Sequence, residues 1–383
     1  MISESVPIKL LRCGVEFFPA LLDAIKSAEH EIFLETYIFR DDITGQAVAT
    51  ALADAAQRGV ATHLMIDGFG SKEYPESLLA SLQKSGVQIR IYRPGFLNFR
   101  FLRTGLRRLH RKLAVIDRQL AFVGGINILH DFVDGNPLPR YDFAVAIRGA
   151  AAADVFDAAT RLWWLVSWSQ FRRRGVRRPD RLLVLSPENV PSTGSTTLII
   201  RDNLRNRRAI EAEYLKAIWH ATKRIIIANA YFLPGRKLLD SLLDAAARGV
   251  SVDLLLQGQV EYFLQHFASQ HLYGQLIGAG VNIHLYKPAQ LHAKVAVIDR
   301  DWATIGSSNM DPFSLQLARE ANIFVHDAVF TERLANDLLS AIALDSDKIV
   351  VAQWHGIPPH RKLLMRICYG LVRYTQRFAI RRP

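Results

Sequence analysis

Two stretches of this chain repeat one polar pattern inside an apolar run. Residues 109–127 read LHRKLAVIDRQLAFVGGIN, and residues 291–309 read LHAKVAVIDRDWATIGSSN. His, Lys, Asp, Gly and Asn fall at the same internal spacings in both. The likeness extends upstream in the same order. AIKSAEHEIFLETYIF (24–39) resembles AIWHATKRIIIANAYF (217–232), and AAQRGVATHLMIDG (55–68) resembles AAARGVSVDLLLQG (245–258). GVQIRIYRP (86–94) likewise resembles GVNIHLYKP (280–288). A unit of roughly half the chain is too long for a solenoid repeat. The chain is therefore constrained to two copies of one domain-sized unit.

Within each copy, helical and strand periods alternate. PALLDAIKSAE has helical spacing, and HEIFLETYIF is a strand rich in Ile, Phe and Tyr. GQAVATALADAAQRG reads as a helix stopped by Gly59, followed by the strand VATHLMID. The alternation predicts an α/β fold with a mainly parallel sheet. The runs LAVI and VAVI suit strands covered on both faces. The chain divides into a first repeat (1–170), a basic linker containing Pro and Ser (171–196), a second repeat (197–345) and a basic tail (346–383).

Half of the 383 residues are hydrophobic, enough to bury one large core or two medium ones. The formal charge of +12 points to an anionic partner, either nucleic acid or an acidic membrane surface. The two cysteines, Cys13 and Cys368, are far apart and suit a reducing compartment. The start, MISESVPIKLL, lacks the charge and apolar order of a signal peptide. No apolar stretch reaches the length of a membrane span, so any membrane contact is expected to be peripheral.

The repeated motif carries the chemistry. Strand alternation puts His110 and Lys112 on one face and Arg111 on the other, with Asp117 at the strand end. A second short strand, two glycines and Asn127 follow; His292, Lys294, Asp299, Gly306 and Asn309 repeat the order. Imidazole is a nucleophile or acid near neutral pH, and ammonium neutralises oxyanions. Glycine lets backbone approach a ligand, and an Asn amide can donate to an oxygen that gains charge. Doubled, this set suits a phosphodiester. One His attacks phosphorus, the other protonates the leaving alkoxide, and Lys and Asn hold the non-bridging oxygens. No metal-ligand spacing is present, so neither metal nor cofactor is expected.

Both stretches resemble the signature of the phospholipase D superfamily, H-x-K-x4-D-x6-G-[GS]-x-N. The resemblance covers nearly the whole chain. It implies a duplicated phospholipase D-like fold: two mixed sheets flanked by helices, related by a pseudo-twofold, with one shared active site. It implies a phospho-histidine intermediate, with His110 as nucleophile and His292 as general acid. Lys112, Lys294, Asn127 and Asn309 would bind phosphate, and Asp117 and Asp299 would be the structural acids of the motif. By the same resemblance, Asp142 in RYDFAVAIRG and Glu320 in REANIFVHD would orient the histidines.

LETYIF, DDITG, DGFGS, YDFAVAIRG and NAYFLPG resemble bacterial cardiolipin synthases of the type without N-terminal membrane spans. The function implied is transfer of a phosphatidyl group between phospholipids such as phosphatidylglycerol. Peripheral attachment at the cytoplasmic face of the bacterial cell membrane would follow. No nucleic acid and no obligate protein partner are expected. Superfamily alternatives are a phospholipase D-type hydrolase and a metal-independent nuclease; a binding protein with a relict site is a further one. Two features lie outside the repeat. The insertion GFLNFRFLRTGLRR (95–108) mixes aromatics with Arg, suiting an interface with lipid or with stacked bases. The tail from His360 onward carries no acid and reads as an amphipathic helix. Leu363, Leu364, Ile367, Leu371, Tyr374 and Phe378 fall on one side, and Lys362, Arg366, Arg373 and Arg377 on another. Such a helix lies in an anionic membrane surface or packs on its own domain.

Overall fold

The computed structural model describes residues 8–73, 76–94, 107–133, 135–170, 195–202 and 206–380. Most of the insertion (95–106) and of the linker (171–194) lies outside the described residues.

Among the described residues there are two sheets. The first holds β1 (Ile8–Arg12), β2 (Glu31–Thr36), β3 (Ala61–Asp67), β4 (Gln88–Tyr92), β5 (Lys112–Ile116), β6 (Leu120–Gly124) and β7 (Phe143–Arg148), in the order β1-β7-β6-β5-β2-β3-β4. The second holds β8 (Ser195–Arg201), β9 (Arg224–Asn229), β10 (Ser251–Gln257), β11 (Asn282–Tyr286), β12 (Lys294–Ile298), β13 (Trp302–Gly306), β14 (Glu320–His326) and β15 (Ser346–Lys348). Its order, β15-β11-β10-β9-β12-β13-β14-β8, repeats the first and adds one edge strand.

Both sheets are mixed, as the family resemblance implies; the mainly parallel pairing expected from helix–strand alternation alone is corrected. Only β2-β3-β4 and β9-β10-β11 run parallel, each joined by helical crossovers. The motif half of each sheet is an antiparallel meander, β5-β6-β7 and β12-β13-β14. Helix–strand alternation stops at the motif. Asp117 and Arg118 (φ +49° and +61°), and Asp299 (φ +53°), take the left-handed backbone that a tight hairpin needs. The short strands β1 and β8 were not anticipated either. Each pairs antiparallel at the edge beside β7 or β14.

The fully buried strands LAVI and VAVI are sandwiched as their composition predicts. The outer face of the first sheet packs on helices Cys13–Lys26 and Ile43–Gln57. The second sheet packs in the same way on Ala209–His220 and Arg236–Ala247. The inner faces share one core. Leu113, Val145 and Ile147 of the first half join Val295, Ile305 and Ile323 of the second, and helices Ala150–Ser169 and Ala328–Asp345 add their buried residues to the same core. This shared core fixes the two motif strands relative to one another.

The tail differs from its one-sided reading. Its first residues form β15, paired with β11 in the second sheet. The helix Pro359–Ile380 then packs on the second half through Met365, Cys368 and Val372, all buried. Leu364 and Tyr369 lean on that core, while Leu363, Ile367, Leu371 and Tyr374 stay exposed. The helix therefore has two apolar faces.

Candidate active site

The approach to each motif is tied to the other half of the molecule. Leu109 bridges Arg319, and Tyr141 bridges Leu291, each as a single parallel contact. The His110 amide donates to the Arg319 carbonyl at 2.9 Å, and the His292 amide to the Tyr141 carbonyl at 2.9 Å. One residue beyond each bridge partner stands an acid, Glu320 or Asp142. The backbone thus hands each histidine the carboxylate of the opposite half. His110 Nδ1 lies 2.9 Å from Glu320 Oε1, and His292 Nδ1 lies 2.6 Å from Asp142 Oδ2. With Nδ1 held as a donor, Nε2 of each ring is left to the cleft that both histidines line.

Lys112 and Lys294 are buried behind the histidines. Lys112 Nζ donates to the His110 carbonyl at 2.6 Å, and Lys294 Nζ to the His292 carbonyl. Burial pulls Lys112 down to about 7; attraction to Glu320 opposes this and Lys294 adds to it. Lys294 is lowered for the same leading reason. Burial also lowers both histidines, His292 to about 3 with Lys294 pushing further. Burial pushes Glu320 up, but His110, Lys112 and Ser307 together hold it below its ordinary value. The resting site thus combines neutral imidazoles, an ionised Glu320 and a Lys112 ready to gain charge when an anion enters.

The asparagines stand at the cleft wall on the loops after β6 and β13. Asn127 Oδ1 accepts from the Ile38 amide at 3.1 Å, which turns its amide group over. Asn309 Oδ1 is buried without a hydrogen bond. Ser307 and Ser314 both donate to the Glu320 carboxylate. Gly125 occupies the position matching Ser307. A Cβ there would lie 2.3 Å from Asp142 Oδ1, so only glycine fits beside that acid.

Asp117 and Asp299 are not brought to the cleft. They sit at the far ends of β5 and β12 from the histidines. Asp117 takes the amides of Glu29, His30 and Glu31 at 2.8–2.9 Å, and Asp299 takes those of Thr222, Lys223 and Arg224 at 2.8–2.9 Å. Each acid ties the motif hairpin to the start of β2 or β9. Arg111, on the opposite strand face from His110, is buried against Glu35 in an ion pair.

The cleft encloses about 580 Å³. Several of its walls were not singled out in the sequence: Tyr37, Arg40, Arg140, Tyr231, Glu261 and Gln290. The Tyr37 ring lies 4.9 Å from that of His110, and Tyr231 Oη donates to Glu261 at 2.6 Å. Tyr37 and Tyr231 fall in the matched segments TYIF and NAYF but one position apart, and the others lie outside the repeated pattern, so the motif carries no signal for them. Among the described residues, no group of three His, Cys, Asp or Glu side chains is arranged to hold a metal ion.

The family described as "Cardiolipin synthase, PLD-like domain" matches residues 21–162 and 214–341. Cardiolipin synthase B of Salmonella typhimurium is 38% identical over 359 residues, covering 90% of this chain and 83% of the relative. Cardiolipin synthase 2 of Bacillus cereus is 30% identical over 366 residues, covering 95% of this chain and 70% of the relative. Among solved structures, phosphatidylserine synthase of Haemophilus influenzae superposes with a TM-score of 0.72 at 15% identity, covering 98% of this chain and 95% of that one. At that identity the likeness concerns the fold.

Proposed function

We propose that this chain, which belongs to the cardiolipin synthase family with a phospholipase D-like domain, transfers a phosphatidyl group between phospholipids through phospho-histidine. The observation that carries the reading is the crossed pairing of His110 with Glu320 and of His292 with Asp142 at one cleft. His110 Nε2 attacks the phosphorus of a phospholipid such as phosphatidylglycerol. The bond to the leaving glycerol oxygen breaks, and His292, which takes up a proton on Nε2 as the anionic phosphodiester enters beside it, gives that oxygen the proton. A hydroxyl of the second lipid then attacks phosphorus, returns its proton to His292, and the N–P bond breaks. Glu320 holds the ring of His110 and favours the positive charge it gains on attack. The lysines buried behind the histidines supply positive charge, and the asparagine amides at the cleft wall meet the non-bridging oxygens.

Incubation with phosphatidylglycerol vesicles is expected to give cardiolipin and free glycerol. Phosphatidic acid alone would mean hydrolysis, and cleavage of single-stranded DNA without lipid turnover would mean a nuclease. His110→Ala and His292→Ala should each abolish turnover, and an acid-labile phosphoryl group should map to the peptide that holds His110. A normal rate in either variant would overturn the two-histidine route.

We propose further that the protein works as a peripheral protein on the anionic cytoplasmic face of the bacterial cell membrane. No described helix is long and apolar enough to cross a membrane. Val260, Tyr262, Phe263 and Leu264 are exposed where the chain enters the helix Phe263–Gln270, and Tyr262 reaches the cleft. The tail helix packs against that same helix and exposes Leu363, Ile367, Leu371 and Tyr374 beside Arg361 and Arg366. An apolar stripe edged by cations matches an anionic bilayer. Changing Leu363, Ile367 and Leu371 to Ser leaves the inward face untouched. It should release the protein from anionic vesicles in a sedimentation assay; unchanged binding would reject this surface.

A further inference from the structure

The cleft is symmetric in its histidines and asymmetric in its cations. Arg40 follows β2, and Arg140 stands two residues before Asp142; both line the cleft. Matching TYIFR (36–40) to NAYFL (229–233), and RYD (140–142) to ARE (318–320), puts Leu233 and Ala318 at the related positions. Both of those are buried. The cation pair therefore exists on one side of the pseudo-twofold only.

The setting of Arg140 is built rather than incidental. Its Nε donates to Gln290 Oε1 at 2.7 Å and its Nη1 to the His130 carbonyl at 2.5 Å. Both acceptors are neutral, so they aim the guanidinium without cancelling its charge. Among the described residues, no carboxylate forms an ion pair with Arg140 or Arg40. Asp131, Glu261 and Asp42 act on Arg140 only from farther away, and Arg40 opposes its charge. The other cleft arginine, Arg108, differs: it pairs with Asp67 at 3.6 Å. Both guanidiniums line one cleft and repel each other, so an anion bound there would meet two cations.

The transfer proposed above supplies that anion. Two phosphodiesters take part when one phospholipid accepts the phosphatidyl group of another. The first becomes covalent on histidine. The second stays intact, keeps its negative charge, and must lie a glycerol's length from the reacting phosphorus. We propose that Arg40 and Arg140 form a second anion subsite that holds the unreacting phosphodiester of the acceptor phospholipid. This inference rests on the phosphatidyl-transfer reading and deepens it. The subsite would set the choice of acceptor: a phospholipid hydroxyl over water or a neutral alcohol.

The test partitions one intermediate between two acceptors. Phosphatidylglycerol vesicles are supplied with ethanol, and cardiolipin and phosphatidylethanol are quantified together. Both products come from the same phosphoryl-enzyme, so their ratio reads the acceptor step. In Arg40→Gln/Arg140→Gln the ratio of cardiolipin to phosphatidylethanol should fall about tenfold or more, with phosphatidylethanol still formed. An unchanged ratio would overturn the subsite. If both products vanish in the double variant, Arg40→Gln alone decides, because Arg40 is exposed. Its ratio must fall, and a wild-type ratio there rejects the subsite. Failure of the wild-type protein to form either product would instead reject the transfer reading itself.

Discussion

The two halves offer the same histidine to the cleft and hold it in different ways. On the side of His110 the carboxylate is Glu320, clamped by the hydroxyls of Ser307 and Ser314. On the side of His292 it is Asp142, whose Oδ1 takes the Phe143 amide at 2.8 Å and lies against Gly125. The longer acid goes with serine and the shorter acid with glycine at the same motif position. Asn127 is anchored through Ile38, whereas Asn309 Oδ1 is left unpaired. The twofold decides where the groups stand; the side chains that break it decide what each does. An ionised Glu320 beside His110 suits the ring proposed to be phosphorylated. Asp142, held by the Phe143 amide and without a serine clamp, stands beside the ring proposed to trade a proton twice.

The sharpest way to break this comparison is to neutralise each acid in turn. Glu320→Gln removes the partner of His110 and strands two serine hydroxyls. It should lower kcat for cardiolipin formation by about 100-fold or more. Asp142→Asn takes the charge from beside the His292 ring and from Lys294, 3.8 Å away, but strands no hydroxyl, and should cost about tenfold. Equal losses in steady-state rates would show that the two shells do the same work.

The lysines give the next largest effect. The free Lys112 side chain is charged up to 10.5, but in the folded cleft it is neutral above about 7. A bound phosphodiester favours the charged form, so binding takes up a proton above pH 7. Affinity for a water-soluble phosphodiester, whose own charge is constant, should fall by up to about tenfold per pH unit between about 7 and 10.5. The sign for the empty protein is opposite. Burying a charged Lys112 costs stability in full below about 7, and that cost disappears as pH rises toward 10.5. Calorimetry in buffers of different ionisation enthalpy reads the proton directly. Lys112→Met should flatten the profile; a slope that survives would place the titration on Lys294 instead.

The sequence told most about what the repeat doubles. His110, Lys112, Asn127 and their partners are found because identical spacing in two places exposes a pattern. The crossed contacts Leu109–Arg319 and Tyr141–Leu291 bring them to one cleft. Sheet direction was harder to read. An apolar run such as LAVI is the same whether its neighbour runs parallel or antiparallel, and the turn that reverses it rests on left-handed Asp117 and Arg118. Arg40 and Arg140 lie far apart in the chain and match Leu233 and Ala318, not cations, in the second copy, so only folding brings them to one cleft. The tail shows a different limit. Helical spacing found its apolar residues, but Met365, Cys368 and Val372 turn inward while Leu363 and Ile367 turn outward. One period fits both faces.

The smallest effect belongs to the pair on which the halves agree. Asp117 and Asp299 each collect three backbone amides, and these donors hold both acids below their ordinary values despite some burial. The folded value is depressed, so the stabilisation is present above about 4 and is lost as pH falls through the folded value. Both sites are partly open to water, which reduces what each hydrogen bond contributes. Asp117→Ala and Asp299→Ala should each lower stability by about 1–2 kcal/mol in urea titrations. Asp299 should be the slightly larger, because it also accepts from the Thr222 hydroxyl at 3.0 Å. Neither change should alter the partition of the phosphoryl-enzyme between acceptors, since both acids stand at the ends of β5 and β12 away from the cleft. A shift in that partition would mean that the hairpin ends position the histidines, and the structural role assigned to the motif acids would fall.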